Sequence, residues 1–373
     1  MNLVLLIAVD LITVIYLLFY LSKNYLCFIY SKKLRFNYSL SKNNLHLRLA
    51  KPNLKLNKRY YSTAKPSSSI IDPEFITGFV DAEGSFVVRI TKSSKYKIGW
   101  RVEARFQIGL NKNDGALLKL IQDGFKGAGV ISVAGNVAEF RITAISDLVN
   151  ILIPHFEKYP LITQKQADYI LFKQIVELMK EKKHLTEEGL REIISLRVAM
   201  NLGLPTYLQE AFPDITAAIR PVVPSVETVR PNWLAGFSEG ESCFFIDINK
   251  SSHTKTGFQF QLKFIISQHY RDQGLLNCFI NYLGCGKYYP KSGGRTGEFV
   301  VANYLDIVTK IIPFFEKYPF KGTKLYNFLD FIKVANLMNN KEHLKPEGVE
   351  QILKIKGGMN RKRVFNESES PFG

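Results

Sequence analysis

The sequence predicts an α+β fold built from two similar lobes, and three observations support this prediction. The block IPHFEKYPL at residues 153–161 recurs as IPFFEKYPF at residues 312–320, and other blocks recur at the same spacing of 158 or 159 residues. Within each copy, apolar and polar residues alternate as in antiparallel strands with one solvated face. Segments of helical periodicity follow, and we expect them to cover one face of each sheet. Because only two copies occur, the pattern indicates a pseudo-symmetric pair and not a solenoid.

Each copy begins with a short helix and continues through strands, a hairpin and further helices. In copy one, Pro73 suits the first turn of the opening helix, where a missing N–H breaks no hydrogen bond. In the strand predicted at 100–110, residues such as Val102 and Phe106 face one side and polar residues face the other. The elements predicted for copy one are strands at 86–91 and 100–110, a hairpin within 127–142, and helices at 115–125, 146–156, 164–180 and 186–200. Copy two has counterparts, including strands at 244–249 and 258–264 and a hairpin within 284–302.

The predicted domain boundaries follow from these copies. They are a leader at residues 1–70, a first lobe at 71–204, a linker at 205–230, a second lobe at 231–363 and a tail at 364–373. Five of the 15 prolines fall within residues 205–231, and this clustering is typical of a linker. A short helix is expected within the linker, around residues 207–211.

The leader has its own composition. Residues 3–21 are apolar except for Asp10 and Thr13, so they could contact or cross a membrane, although a central Asp costs about 2.5–3.5 kcal/mol on an insertion scale. A stretch without acids, rich in basic and Ser residues, comes next. Such leaders are typical of organelle transit peptides, and the sequence therefore predicts a mitochondrial location. A passive leader with no role in the chemistry is the alternative.

The composition indicates folded lobes and a polyanionic partner. The 373 residues are 46% hydrophobic and 13% aromatic, which excludes wholesale disorder. Lys and Arg outnumber Asp and Glu by 50 to 33, giving a formal charge of +17. This surplus favours nucleic acid, with an ordinary solvated basic surface as the alternative. The four cysteines show no CxxC pairing, which excludes a disulfide scaffold and argues against a structural zinc site.

The polar face of the predicted strands carries the residues expected to contact DNA. They are Arg89, Arg101, Glu103, Arg105, Gln107 and Arg141 in copy one, and Asp247, Asn249, Gln259, Gln261 and Lys263 in copy two. In the major groove, Arg and Lys can bond to guanine and Gln to adenine through forked hydrogen bonds. An ordinary solvated sheet face is the alternative, but the recurrence in both copies favours nucleic acid.

Small residues recur on one face of the two opening helices. They are Thr77, Gly78 and Ala82 in copy one and Ala235, Gly236 and Gly240 in copy two. Glycine within a helix costs about 1 kcal/mol relative to alanine, so its repeated use predicts that the two helices pack closely on each other. Their C-terminal ends would then meet and bring Glu83 and Glu241 together.

Two adjacent carboxylates suggest a metal site. They would repel each other, and one would become protonated unless a cation lay between them. Their oxygen atoms suit Mg²⁺ or another divalent cation, which could polarise a phosphodiester and generate the attacking hydroxide. The alternative is a pair of packing helices whose trailing acids are solvated.

The two openings, FITGFVDAEGSF at residues 75–86 and WLAGFSEGESCF at residues 233–244, resemble the paired LAGLIDADG motifs of single-chain homing endonucleases. The resemblance covers residues 71–363 and includes the EKYPL blocks. It implies two αββαββα lobes that form a saddle over double-stranded DNA, in a monomer with an internal pseudo-dimer. It also implies site-specific, metal-dependent cleavage that leaves staggered ends, with Glu83 and Glu241 as metal ligands. Copy two departs from the pattern at Glu239 and at Ser242, which lies in the turn from helix to strand.

The resemblance implies further catalytic residues and leaves other functions open. Gln268 matches a glutamine near the end of the second strand, and its counterpart in copy one is Leu110. Lys165 and Lys324 match a lysine at the start of a later helix, which could stabilise charge developing on the phosphate. Because some family members are RNA maturases, a splicing cofactor that binds intron RNA is one alternative function. A membrane-tethered binding protein that depends on residues 3–21 is another.

Overall fold

The computed structural model describes residues 71–201 and 203–365, which form two lobes of the same architecture. The predicted α+β class and the pseudo-symmetric αββαββα lobes are confirmed. The leader at 1–70 and most of the predicted tail, from residue 366 onward, lie outside the described residues. In the described part of the chain, no helix has the length and hydropathy needed to span a bilayer. The predicted membrane segment at 3–21 belongs to the part that is not described.

Lobe one contains six helices and four strands among the described residues. They are α1 (Pro73–Glu83), β1 (Gly84–Lys92), β2 (Trp100–Asn111), α2 (Gly115–Gly124), β3 (Val130–Ala134), β4 (Val137–Ile142), α3 (Ile145–Asp147), α4 (Ile153–Lys158), α5 (Lys165–Lys180) and α6 (Glu187–Val198). Short 3₁₀ turns lie at Lys112–Asp114 and Lys183–Leu185. A further helix, α7 (Thr206–Ala211), follows lobe one where a short helix was predicted.

Lobe two repeats this order. Its elements are α8 (Pro231–Glu241), β5 (Ser242–Lys250), β6 (Phe258–His269), α9 (Gln273–Leu283), β7 (Lys287–Pro290), β8 (Thr296–Val301), α10 (Tyr304–Asp306), α11 (Ile312–Lys317), α12 (Lys324–Asn339) and α13 (Pro346–Gly357). The 3₁₀ turns recur at Tyr270–Asp272 and Glu342–Leu344, and a last one lies at Asn360–Lys362.

The two sheets have the same topology and register. Their antiparallel strands follow the orders β1-β2-β4-β3 and β5-β6-β8-β7. Gly84 lies opposite Ile108 in lobe one, and Ser242 lies opposite Ile266 in lobe two. Each opening helix runs into its first strand without a loop, so the last residue of that helix stands at the start of an edge strand.

The predicted helix at 146–156 differs from the structure in one respect. It is interrupted by a π-helical turn at Leu148–Leu152, immediately before the helix that contains Pro154. Proline cannot donate the usual helical hydrogen bond, and its ring crowds the carbonyl one turn earlier, so a widened turn accommodates it. The same turn occurs in lobe two at Ile307–Ile311, before Pro313.

An aromatic core holds each sheet against its helices. In lobe one, the buried ring of Phe86 lies 5.3–5.7 Å from four other aromatic rings, including those of Phe106 and Phe172. In lobe two, Phe244 occupies the matching position and contacts five rings, including that of Phe264. Such closely packed rings stabilise the fold by more than their buried area alone would, and they fix the first strand behind each opening helix.

The lobes meet where α1 packs on α8. A Cβ atom placed on Gly78 would lie 1.9 Å from the backbone oxygen of Trp233, and one on Gly236 would lie 2.0 Å from that of Phe75. The two backbones therefore touch, which only glycine permits. Ala235 belongs to the buried cluster of lobe one. The hydroxyl of Thr77, by contrast, donates to the Tyr159 carbonyl at 3.0 Å, within its own lobe.

Part of the predicted linker packs on lobe one. The Tyr207 hydroxyl donates to the Ile90 carbonyl at 2.6 Å, and the Phe212 ring lies 5.3 Å from that of Trp100. Further along, the Arg220 guanidinium forms an ion pair with buried Asp168 on α5 at 2.8 Å. The segment after lobe one is thus anchored to it by side-chain contacts.

Candidate active site

Glu83 and Glu241 end the two opening helices, and the structure brings them to the same place. A Cβ atom on Gly240 would lie 2.9 Å from Glu83 Cγ and 3.1 Å from Glu83 Oε1, so the Glu83 side chain lies against α8 one residue before Glu241. Burial raises the pKa of Glu241, and the nearby charge of Glu83 raises it further. A carboxyl group whose ionisation is opposed by a neighbouring carboxylate belongs to a site with an affinity for cations.

Lys165 and Lys324 approach this site from the first residues of α5 and α12. The Lys165 Nζ donates to the carbonyl oxygens of Val80 at 2.8 Å and Ala82 at 3.2 Å. The Lys324 Nζ donates in the same way to the carbonyls of Gly240 and Ser242. Each ammonium thus adds hydrogen bonds to carbonyls where an opening helix ends and its first strand begins. Burial lowers the pKa of both lysines, whereas the charges of Glu83 and Glu241 oppose that shift.

The two halves of the site differ at one position. Gln268 forms a side-chain hydrogen bond with Glu241 that counteracts the rise in the pKa of that carboxyl. Its counterpart Leu110, at the end of β2, cannot form such a bond. Leu110 instead lines a cleft of about 220 Å³ together with Glu83, Gly240 and Lys324. The asymmetry expected from the sequence is present in the geometry.

The acids two positions before Glu83 and Glu241 have structural roles, although Glu239 also lines this cleft. Asp81 accepts hydrogen bonds from the Thr163 hydroxyl at 2.6 Å and from the Trp233 indole of the other lobe at 2.9 Å. Glu239 accepts one from the Lys321 backbone at 2.7 Å. Burial raises the pKa of both carboxyls, that of Glu239 to about 7. They hold the segments that lead into α5 and α12.

The turn at Ser242 is as tight as its glycine counterpart. Ser242 adopts an extended backbone with φ of −87°, and its hydroxyl donates to the Ser238 carbonyl at 2.6 Å. In lobe one, a Cβ atom on Gly84 would lie 2.6 Å from the side chain of Val80. Val80 and Ser238 are counterparts, so the smaller residue in lobe two leaves room for the Ser242 side chain.

All eleven residues predicted to contact DNA lie on the solvent faces of the two sheets. Several already bind each other. Glu103 pairs with Arg101 at 3.0 Å and with Arg105 at 2.9 Å, and the hydrogen bond from Arg105 holds the pKa of Glu103 below its usual value. Arg141 pairs with Glu139, and Lys263 pairs with Asp247. Most of the charged residues thus form ion pairs with their neighbours, whereas Arg89, Asn249, Gln259 and Gln261 are exposed.

The donor set fits a hard divalent cation. Glu83 and Glu241 supply only oxygen ligands, and such ligands suit Mg²⁺ or Ca²⁺. Across residues 71–201 and 203–365, there is no group of three or more His, Cys, Asp or Glu side chains arranged to hold a metal. Water and phosphate oxygens would therefore have to complete the coordination, as is usual for Mg²⁺ at phosphate-binding sites.

Asp114 and Asp272 were missed by the sequence analysis. Asp114 accepts a hydrogen bond from the backbone of Thr323 at 2.7 Å, and Asp272 accepts one from the backbone of Gln164 at 2.9 Å. Each aspartate therefore binds the other lobe, immediately before a lysine-bearing helix. The signal available in the sequence was their spacing of 158 residues, which matches the repeat.

Comparison with known proteins gives consistent matches. The protein-family model described as LAGLIDADG endonuclease matches residues 76–176 and 234–335, which are more than half of the chain. "Probable intron-encoded endonuclease 2" of Neurospora crassa is 44% identical over 317 residues, which are 78% of this chain and 68% of that protein. "Probable intron-encoded endonuclease 3" of the same fungus is 38% identical, over 80% of this chain and 56% of that protein. This chain thus spans little more than half of the second relative.

A third relative, an uncharacterized protein in ND4 intron 1 of Podospora anserina, is 48% identical over 32% of this chain and 27% of its own length. Among solved structures, the I-SmaMI LAGLIDADG homing endonuclease bound to cleaved DNA is 44% identical, with a TM-score of 0.77 over 79% of this chain and 98% of that one. I-SmaMI has also been solved on an uncleaved DNA target with calcium ions, and as two single lysine-to-alanine variants.

Proposed function

Because this chain belongs to the LAGLIDADG endonuclease family, we propose that it is a site-specific double-strand DNA endonuclease. The observation that carries the proposal is the meeting of Glu83 and Glu241 at the ends of two glycine-packed helices. The relatives named as intron-encoded endonucleases and the I-SmaMI complex with cleaved DNA support it. Duplex DNA also suits the formal charge of +17 and the polar faces of the two sheets.

Glu83 and Glu241 are the residues that would hold the divalent cation. When bound, this cation supplies the positive charge that polarises a phosphodiester and lowers the pKa of the attacking water. Mg²⁺ is our proposed physiological ion, and support for a divalent ion comes from the calcium ions in the I-SmaMI complex. Gln268 would keep Glu241 ionised and oriented through its hydrogen bond.

Lys165 and Lys324 would place positive charge beside the phosphate that is cleaved. A buried ammonium in a site that excludes water stabilises developing negative charge more strongly than it would in solution. The two lysines mutated in I-SmaMI are 159 residues apart, and so are Lys165 and Lys324. This shared spacing supports the assignment, beyond the role of the lysines in binding helix carbonyls.

The sheet faces would bind the DNA target. Exposed residues such as Gln259 and Gln261 are free to bond to base edges in the major groove, which a sheet face can enter. Paired residues such as Arg101 and Glu103 would exchange their ion pair for contacts with DNA, or orient each other for such contacts. Intron RNA as an alternative partner stays a prediction, without support from the named relatives.

A mitochondrial location is also proposed. Relatives of this chain are named for introns in ND4 and cox1, genes of the respiratory chain. The predicted leader is compatible with import, but its residues lie outside the described part of the structure. A protein made inside the organelle would have no need of an import signal.

The decisive experiment selects cleaved sequences from a randomised duplex library in the presence of Mg²⁺. We expect one long, nearly unique site cut on both strands with staggered ends. Glu83→Gln or Glu241→Gln should abolish cleavage of that site and leave duplex binding largely intact, since neither variant disturbs the sheet faces.

The matched control is Glu74→Gln. Glu74 lies at the other end of the same helix as Glu83 and pairs with Arg230, the residue that precedes α8, at 3.2 Å. The Glu74→Gln variant should cleave the site at the rate of the unaltered protein. Cleavage at that same rate by either site variant would refute the metal assignment.

A further inference from the structure

We propose that Asp114 and Asp272 are positioning residues. Each aspartate fixes the position of one active-site lysine that belongs to the opposite lobe. Asp272 of lobe two would position Lys165 of lobe one, and Asp114 of lobe one would position Lys324 of lobe two. The inference rests on the proposed function for its catalytic meaning. The contacts themselves are independent of it.

The hydrogen bonds are reciprocal between the lobes. Asp272 Oδ1 accepts from the backbone N–H of Gln164 at 2.9 Å, and Gln164 is the residue before Lys165. Asp114 Oδ1 accepts from the backbone N–H of Thr323 at 2.7 Å, and its Oδ2 accepts from the Thr323 hydroxyl at 3.0 Å. Thr323 is the residue before Lys324. Each bond joins residues that are more than 100 positions apart in the chain.

The position of the bonds explains why they matter for the lysines. The first N–H groups of a helix have no partner within it, so a carboxylate placed there anchors the helix end and interacts favourably with the helix dipole. Lys165 is the first residue of α5, and Lys324 is the first residue of α12. An anchor at the preceding residue therefore fixes the point from which each lysine side chain departs.

Each lysine is consequently held by both lobes. The Lys165 Nζ binds carbonyls of α1 in its own lobe, whereas its backbone is anchored by Asp272 of the other lobe. The Lys324 Nζ binds its own lobe's α8, and Asp114 anchors its backbone from lobe one. Docking of the lobes thus adds a second anchor to each lysine-bearing helix, beside the anchors that Asp81 and Glu239 supply from within each lobe. A cleavage site that depends on both lobes follows from this arrangement.

The first experiment measures lysine exposure and does not depend on cleavage. The full-length protein is treated with an amine-acylating reagent, and the labelling rate of each lysine is read by mass spectrometry. Asp272→Ala should raise the labelling rate of Lys165 severalfold and leave Lys324 nearly unchanged, and Asp114→Ala should do the reverse. Equal exposure of both lysines, or of neither, would overturn the proposal.

The matched control is Asp72→Ala. Asp72 also anchors a helix start, accepting from the Glu74 backbone at 2.8 Å, and it also bonds across the lobe boundary, accepting from the Asn232 side chain at 2.7 Å. It lies at the end of α1 away from Glu83. It should therefore lower stability without exposing either lysine, which separates positioning from general weakening of the interface. If Asp272→Ala does not fold, Asp114→Ala carries the same test on Lys324.

The second experiment measures single-turnover cleavage of the selected DNA site. A displaced catalytic group commonly reduces the rate by about 10- to 100-fold, and we expect a loss in that range for Asp272→Ala with unchanged DNA affinity. Asp272→Asn keeps an oxygen acceptor for the single backbone N–H and should restore most of the rate. If Asp272→Ala cleaved the DNA as fast as the control Asp72→Ala, the proposal would be overturned. If the unaltered protein cleaves no duplex, the proposed function fails, and the labelling pattern still decides the positioning.

Discussion

Replacing Gly78 by alanine tests whether backbone contact between α1 and α8 holds the lobes together. The new Cβ atom would lie 1.9 Å from the Trp233 carbonyl oxygen and 2.9 Å from the Phe237 nitrogen. Ordinary contacts begin near 3.4 Å, so the helices would have to separate locally by about 1.5 Å. No side-chain rotation can relieve the clash, because the obstructing atoms belong to the backbone.

The expected magnitude follows from two opposing effects. Alanine in a helix is favoured over glycine by about 1 kcal/mol. Overpacking a close contact typically costs about 1–3 kcal/mol and occasionally more, and the rigid obstruction places Gly78→Ala at the upper end. We therefore expect a net loss of about 2 kcal/mol in the free energy of unfolding. DNA cleavage should also fall, because separation of the helices moves Glu83 away from Glu241.

The assay is urea unfolding monitored by tryptophan fluorescence, since Trp233 is fully buried at this interface. The matched control is Gly274→Ala in α9, where a Cβ atom would meet nothing within 4 Å. That variant should be as stable as the unaltered protein or up to about 1 kcal/mol more stable. If Gly78→Ala proved as stable as Gly274→Ala, close packing of the two backbones would not be what joins the lobes.

Two further predictions concern residues beside the site. Gly84→Ala should destabilise lobe one by about 1–3 kcal/mol, because the new methyl group would contact the Val80 side chain. A double-mutant cycle with Val80→Ala should show a coupling energy of about 1 kcal/mol in the free energy of unfolding. Purely additive effects would contradict this explanation of why Gly84 is replaced by Ser242 in lobe two. Glu239 has its pKa raised to about 7 by burial, so the folded state retains a proton that the unfolded chain releases above pH 4.5. The free energy of unfolding should then fall by about 3 kcal/mol from this group as the pH rises from 4 to 8. Stability of Glu239→Gln, measured against the unaltered protein across that range, should lack this fall, and parallel pH profiles would refute it.

Much of the architecture could be predicted from local patterns. Alternation in the strands predicted which faces are buried, as Val102 and Phe106 on one side and Arg101 on the other illustrate. Recurrence at a fixed spacing predicted two like lobes, and small residues at helical spacing predicted the contact between α1 and α8. These features depend on residues near each other in the chain, where periodicity and backbone sterics decide the outcome.

Other features could not be predicted from periodicity. The ion pairs of Glu103 and the compensation between Ser238 and Ser242 are local in the chain, but they depend on side-chain conformations and volumes that a polar and apolar pattern does not specify. Further features depended on how the lobes meet. The bonds from Asp114 and Asp272 join residues 209 and 108 positions apart, and no local pattern encodes such a pairing.

The sequence by itself determined that this chain folds as two pseudo-symmetric α+β lobes whose opening helices end in Glu83 and Glu241. Only the tertiary structure decided that Lys165 and Lys324 reach those helix ends and that each is anchored from the opposite lobe. The physical reason is that side-chain periodicity specifies which surface of an element is buried. Which distant groups come within hydrogen-bonding distance is fixed only when those surfaces dock.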